Sequence, residues 1–401
     1  MSSQNAFKSE FFESDAERIV QKISFPRLVG TEGSERAVNL IIEEFDKADI
    51  PLKKEPFQAT KFWTTTITQI GTLLALFLSA IMLSLSFIAP EWNLLVFGAI
   101  IGLVIWGLAK MSGGSLKMLG KPLDTHNLRG KISPKGEKKG IIILMGHHDT
   151  KSQVLTTVQR SAAFTIGGLS VLLAAILYVV MALLALMDTS IPLWMRIISY
   201  ILSGLIAIST IALTLNFTQN KSPGALDNAS SVAVLYMMGK YLKEHALNNI
   251  EVWIVITGAE EVGMLGAHEF VRRHKEKLDP KSTYCINFDM VGRKGCCIEL
   301  MDTTGFPFPK PVCENLNSIA REVAKELQFE CKGFYLPTGA ATDRFVVAKL
   351  GIPAMDFVNK KAAFETHTAK DDLDRFDPVL AKQFAMVATK VVERLDDQQS
   401  S

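Results

Sequence analysis

The chain is short of the residues that usually announce a metal or redox protein: seven histidines and five cysteines in 401 residues. It also lacks an excess of either charge, with a formal net charge of +2. A chain so balanced has no broad positive field to gather nucleic acid, and none is expected as a partner. The cysteines, Cys285, Cys296, Cys297, Cys313 and Cys331, are odd in number, confined to the last third, and match no zinc-ribbon spacing. They read as free thiols in a reducing compartment rather than a disulfide framework. The N-terminal stretch MSSQNAFKSEFFESDAERIVQKI lacks the apolar core of a signal peptide. It reads instead as one amphipathic helix with Phe, Ile and Val on a face, and the tail DDQQSS reads as frayed.

What the chain does have is apolar sequence, unevenly spread. Ile70 to Ala89 is uncharged and has about the 20 residues that cross a hydrocarbon core. The turn PEWN leads into a second run, Leu94 to Ala109. The pattern recurs with Ala163 to Met187, the turn DTSIP, and Leu193 to Phe217. These runs predict four transmembrane helices in two hairpins, over 66–109 and 163–217. Arg196, near the end of its span, can snorkel to the interface. An even number of crossings leaves 1–61, 110–160 and 218–401 on one side of a lipid bilayer. The hairpin turns carry Glu91 and Asp188 and no lysine or arginine. The other flanks hold Lys53, Lys54, Lys61, Lys110, Lys117, Lys121, Lys151, Arg160 and Lys221. Positive charge near span ends stays cytoplasmic, so the larger part is expected to face the cytosol.

With both hairpins set aside, the remainder reads as an α/β domain. GIIILMG, EVWIVITGAE and YCINFDMVG are apolar strands. AVNLIIEEFDKA, SSVAVLYMMGKYLKEH, CENLNSIAREVAKEL and PVLAKQFAMVATKVVERL have the apolar spacing of helices. Apolar strands alternating with helices predict a mostly parallel mixed sheet with helices on both faces. Chemistry in such sheets gathers beyond the carboxyl ends of the strands.

Those ends carry the unusual residues. MGHHDT places His147, His148 and Asp149 at one. ITGAEE ends on Glu260 and Glu261, and INFDMVG places Asp289 near a third. PGALDNASS puts Asp227 just before a helix, and FETHTAKDD supplies His367 in a polar loop. Singly these are a buried core histidine, a solvated helix start or an N-cap. Together they bring imidazoles and carboxylates to one sheet edge, a suitable set for two divalent cations with no thiolate. Side chains alternate along a strand, so His147 and Asp149 point one way and His148 the other, toward packing or substrate contact.

In this order, HHD, DNAS, EE, NFDMVG and HT resemble the motifs of the zinc aminopeptidase family of co-catalytic metallopeptidases. That family includes bacterial leucyl-type aminopeptidases, glutamate carboxypeptidase and the glutaminyl cyclases. The resemblance covers about 1–61, 110–160 and 218–401, and implies a zinc exopeptidase fold interrupted by the hairpins. It implies that His147 and Asp289 hold one zinc, Glu261 and His367 the other, with Asp227 bridging; cobalt or manganese could replace zinc. Glu260 would be the general acid/base and Asp149 the carboxylate that fixes the His147 ring. The implied reaction is hydrolysis of the N-terminal peptide bond of a peptide with a free amine, by a hydroxide bridging two metals. Leu226 stands where the family often has a second acid, and the second hairpin replaces a loop of soluble relatives. Asp343, in TDRFVVAKLGIPA, is either part of the pocket's polar wall or a helix cap. Two other readings are a single-zinc glutaminyl cyclase, which needs fewer ligands, and a non-catalytic membrane scaffold or transporter-associated domain. The latter would carry intramembrane acids or broken helices, which the four spans almost entirely lack.

Overall fold

A computed structural model describes residues 3–112, 120–305, 308–336 and 341–399; Lys117, Ser400 and Ser401 lie outside them. The chain divides into two compact units. One comprises Met1–Ala59, Pro122–Thr157 and Thr218–Ser401, the other Thr60–Lys121 and Val158–Phe217.

Among the described residues the larger unit is built on nine strands: β1 (Lys53–Ala59), β2 (Leu123–Ile132), β3 (Gly140–His147), β4 (Ile250–Thr257), β5 (Thr283–Asp289), β6 (Ile298–Thr304), β7 (Lys310–Pro311), β8 (Cys331–Leu336) and β9 (Ala354–Val358). Their order is β1-β2-β4-β3-β5-β9-β6-β7, with β8 pairing β6. The centre, β4-β3-β5-β9, is parallel, while β1, β2 and β7 pair antiparallel and β6 joins β9 antiparallel. The sheet is therefore mixed, with a parallel core.

Every residue of β3 is buried, which follows from helices on both faces. Ile142 and Leu144 pack in one cluster with Val38, Ile41, Leu235, Phe384 and Val387. Ile141, Ile143 and Met145 point the other way, into a cluster with Trp253, Phe270 and Val347. Each such fully buried side chain contributes roughly 1.5–3 kcal/mol. The rigidity this gives matters most at the carboxyl ends, where β3 and β4 align His147 with Thr257.

Two terminal expectations are corrected. The N-terminal stretch forms two helices, Ser3–Ser9 and Glu13–Ile23. Phe11 between them is buried against Phe7 and Tyr241, so packing breaks a continuous helix. Nor does DDQ fray: the last helix runs Pro378–Gln398. Asp396 is buried in it, its carboxylate accepting the backbone N–H of Asn248, Asn249 and Ile250 at 2.7, 2.7 and 2.9 Å.

The smaller unit is helical. Among the described residues three helices are long and apolar enough to cross a membrane: Thr64–Ile88 (25 residues), Thr157–Leu186 (30) and Leu193–Thr214 (22). The segment Asn93–Ser112 is also helical. Large apolar residues such as Phe77, Ile176, Ile201 and Ile208 are exposed. Between helices lie small polar bonds, Thr72 to Thr214 at 2.8 Å and Tyr178 to Ser203 at 2.9 Å. Apolar outside with polar bonds between helices is the pattern suited to lipid rather than water. The Arg196 guanidinium lies over the Phe87 ring, 5.1 Å from its centroid.

Candidate metal centre

Three parallel strands deliver acids or imidazoles to one edge. β3 ends on His147, β5 on Asp289, and β4 is followed by the turn Glu260–Val262. Asp227 comes from the segment that leads into the buried helix Ser230–Glu244, and the Asp227–Asn228 peptide is cis. His367 sits in a loop with φ +62°. Ala259 and Met264, flanking the Glu260–Glu261 turn, also adopt φ +57°. Such backbone is held only where surroundings impose it.

The Asp227 carboxylate lies between two imidazoles. Its Oδ1 is 3.3 Å from His147 Nε2, and its Oδ2 is 3.3 Å from His367 Nε2. Asp289 Oδ1 stands 3.7 Å from His147 Nε2, and Glu261 Oε2 3.1 Å from His367 Nε2. Two buried groups result, His147–Asp227–Asp289 and Asp227–Glu261–His367, each with candidate ligand atoms within 4.8 Å of one another. Glu260 belongs to neither, though its Oε2 is 3.9 Å from His147 Nε2.

Asp149 supports this arrangement in an unexpected way. His147 Nδ1 meets the backbone oxygen of Asp149 at 3.1 Å, while the carboxylate is 3.7 Å away. That carboxylate accepts the backbone N–H of Glu260 at 3.1 Å and of Glu261 at 3.2 Å. The expected ring-fixing by the Asp149 side chain thus passes to its main chain, because two amides claim the carboxylate. His367 Nδ1 is met by Thr157 Oγ1 at 3.0 Å.

His148 points away from the cluster. It is fully buried, and its Nε2–H donates to the His126 carbonyl at 2.9 Å. Of packing and substrate contact, the structure gives packing, because strand alternation turns the ring to the opposite side. Asp343 is buried, accepts a hydrogen bond from Thr257, and makes no capping bond to its helix. Its charge is felt by Glu260 and His147.

Four supporting residues escaped the sequence reading. Asn228 donates to the Phe288 carbonyl at 3.0 Å and accepts from the Met290 amide at 3.3 Å, binding the Asp227 segment to both neighbours of Asp289. The Asp371 carboxylate accepts the amides of Leu226 at 2.6 Å and Asp227 at 3.1 Å. Arg27, fully buried, donates to the carbonyls of Ile23, Phe25, His148, Pro223 and Gly224. It thereby ties the His147 and Asp227 segments together. The approach is so close that a Cβ on Gly224 (φ +64°) would stand 2.1 Å from Thr150 Cγ2. Lys151 Nζ lies 2.8 Å from Glu261 Oε2. The signals were faint: a lone arginine after proline, an acid four residues past His367, the second letter of DNAS and the third of DTK.

The electrostatics are those of crowded buried acids. Burial raises Glu260 well above the usual carboxylate range, and the charges of Glu261, Asp343 and Asp289 add to it against the pull of His147. Burial likewise pushes Asp289 and Asp149 up to about 6, and Asp343 up to about 7. Asp227 stays below its ordinary value: burial opposes ionisation, but the hydrogen bonds from His147 and His367 outweigh it. Such a set of nitrogen and oxygen donors, negative in excess and without thiolate, fits divalent zinc.

Residues 211–392 match the model of Peptidase family M28. The aminopeptidase YwaD of Bacillus subtilis (strain 168) is 28% identical over 177 residues, 43% of this chain and 37% of the relative. The match thus spans little more than a third of that curated relative's length. Among solved structures, the aminopeptidase of Aneurinibacillus sp. strain AM-1 superposes with a TM-score of 0.57 at 15% identity, covering 98% of this chain and 96% of the other. A glutaminyl cyclase from an Acidobacteriales bacterium gives 0.55 at 16%, covering 97% and 96%. Both likenesses are of fold.

Proposed function

We propose that the chain is a membrane-anchored di-zinc aminopeptidase. The observation that carries this reading is the Asp227 carboxylate, which offers one oxygen to each of two imidazoles, each imidazole backed by a further acid. His147, Asp227 and Asp289 would hold one zinc, and Asp227, Glu261 and His367 the second. Bound zinc supplies Lewis acidity and can bring the pKa of water from 15.7 to near 7.

The remaining steps belong to side chains of this chain. Glu260 takes a proton from the attacking water at its carboxylate and returns it to the departing amine. A carboxyl raised by burial is suited to this exchange near neutral pH, and such catalysis contributes about 10²–10⁴-fold. Asp149 holds the amides of Glu260 and Glu261, so base and ligand keep their relative places. Arg27 and Asp371 hold the segment that presents Asp227. Asp343, buried without a capping bond, belongs to the polar wall facing Glu260.

The same reading places the catalytic segments, 1–61, 110–160 and 218–401, on one side of a lipid bilayer crossed by two hairpins, 66–109 and 163–217. The three long apolar helices and their exposed apolar faces support it, and Asn93–Ser112 would complete the first hairpin. The lysines flanking the spans support a cytosolic peptidase unit.

The test is hydrolysis by the full chain in detergent. Dipeptides with a free N-terminus should be cleaved and their N-acetylated forms not. Cyclisation of N-terminal glutamine without hydrolysis would decide for a glutaminyl cyclase. For sidedness, Cys313 and Cys331 should react with an impermeant maleimide only after cells are lysed. Strong labelling of intact cells would reverse the orientation.

A further inference from the structure

Lys151 directly follows the MGHHDT motif and pairs with Glu261, and nothing in the proposed reaction uses it. Its Nζ lies 2.8 Å from Glu261 Oε2 and donates to the Glu261 carbonyl at 3.0 Å. Its backbone N–H donates to Glu261 Oε1 at 3.2 Å. One residue therefore engages both oxygens of a single carboxylate. Oε1 is occupied by an amide, and Oε2, which stands 3.1 Å from His367 Nε2, is shared with an ammonium. The Lys151 side chain is only 11% exposed, so water screens this pair weakly.

Among the described residues no lysine or arginine forms an ion pair with the acids of the other half, although the buried Arg27 guanidinium acts on Asp227 and Asp149. Asp289 and Glu260 face His147, Asp149 stands behind the ring, and Asp343 acts on the same group. The histidines differ in the same sense: His147 Nδ1 meets the backbone carbonyl of Asp149 with the carboxylate 3.7 Å away, whereas His367 Nδ1 meets the hydroxyl of Thr157. A carbonyl acceptor with a carboxylate close behind raises a ring's strength as a ligand; a hydroxyl does so less.

Resting on the di-zinc reading above, we propose that Lys151 makes the two half-sites unequal, so that the Asp227–Glu261–His367 half binds its metal more weakly and exchanges it, while the His147–Asp227–Asp289 half retains it. A dication entering beside Glu261 meets a carboxylate whose charge is already balanced and must displace or tolerate a fixed positive charge. At the His147 half it meets acids in excess. Lys151 thereby acts as a stand-in cation, keeping Glu261 paired when the weaker half is empty.

The experiment is a zinc titration of the full chain, purified in detergent and stripped of metal, with a chromophoric chelator as competitor. The wild type should bind two zinc ions in two classes at least about tenfold apart. His367→Ala should remove the weak class and leave the tight one. Lys151→Met should strengthen the weak class by about 10–100-fold, the range in which residues behind metal ligands act, with the tight class unmoved; Lys151→Arg should keep the difference. Two equal classes in the wild type, loss of the tight class in His367→Ala, or no change in Lys151→Met would each overturn the inference. The wild-type and His367→Ala titrations hold even if Lys151→Met does not fold. A wild type that binds no zinc would overturn the di-zinc reading as well, whereas two zincs of equal affinity would leave that reading standing.

Discussion

Asp149 accepts the backbone N–H of Glu260 at 3.1 Å, so the acid at the end of one strand sets the position of the proposed base beyond its neighbour. Asp149→Asn keeps the volume but can offer only one good acceptor where two amides now converge. The expected result is a fall in kcat of roughly 10–100-fold, the usual effect of losing a group behind a metal site, with KM changed far less. Steady-state kinetics decide it, and an unaltered kcat would remove Asp149 from the machinery.

Arg27 makes a second, purely structural demand. Its guanidinium serves carbonyls from three separate stretches of chain, and each buried carbonyl left without a donor costs roughly 1–3 kcal/mol. Arg27→Met should therefore destabilise the larger unit by at least about 3 kcal/mol, with Arg27→Lys recovering part. Denaturant unfolding of the full chain in detergent measures this. A loss under about 1 kcal/mol would show that the carbonyls find other partners.

His148 supplies a pH signature. Burial, with the charge of Arg27, lowers its pKa to about 4. Below about 6.5 the unfolded chain takes up a proton that the folded chain refuses, so this group favours folding fully above that pH. The contribution is lost as pH falls toward 4, and amounts to about 3 kcal/mol. His148→Gln, which keeps a donor for the His126 carbonyl, should flatten stability between about pH 6.5 and 4 relative to wild type. It should retain its zinc. A parallel pH dependence in both proteins, or an emptied metal site, would contradict this assignment.

Much of this was legible because short-range patterns carried it. Unbroken apolar runs in β3 and β4 marked strands covered on both faces, and their carboxyl ends drew attention to His147, Glu260 and Glu261. Helices with apolar stripes, such as Ser230–Glu244, were equally plain. The strands β1, β2 and β6–β9 were not read, because sheet pairing is decided by partners distant in sequence and β1 alone, KKEPFQA, is half polar. The supports of the centre were hidden for the same reason. Arg27 and Asp371 look like ordinary surface charges until the chain brings them against Gly224 and Asp227. Asp149 was read as acting on His147 because they share a motif, whereas its carboxylate is committed to a turn more than a hundred residues away.

The account's central claim is that Asp227 joins two metal half-sites served by a separate base, and zinc content measured together with turnover tests it most directly. The wild type should carry two zincs per chain and cleave a free-amine peptide. Glu260→Gln should keep both zincs and lose nearly all turnover, while Glu261→Gln should lose one zinc as well as activity. Equal zinc loss in the two variants, or full turnover in Glu260→Gln, would contradict the account.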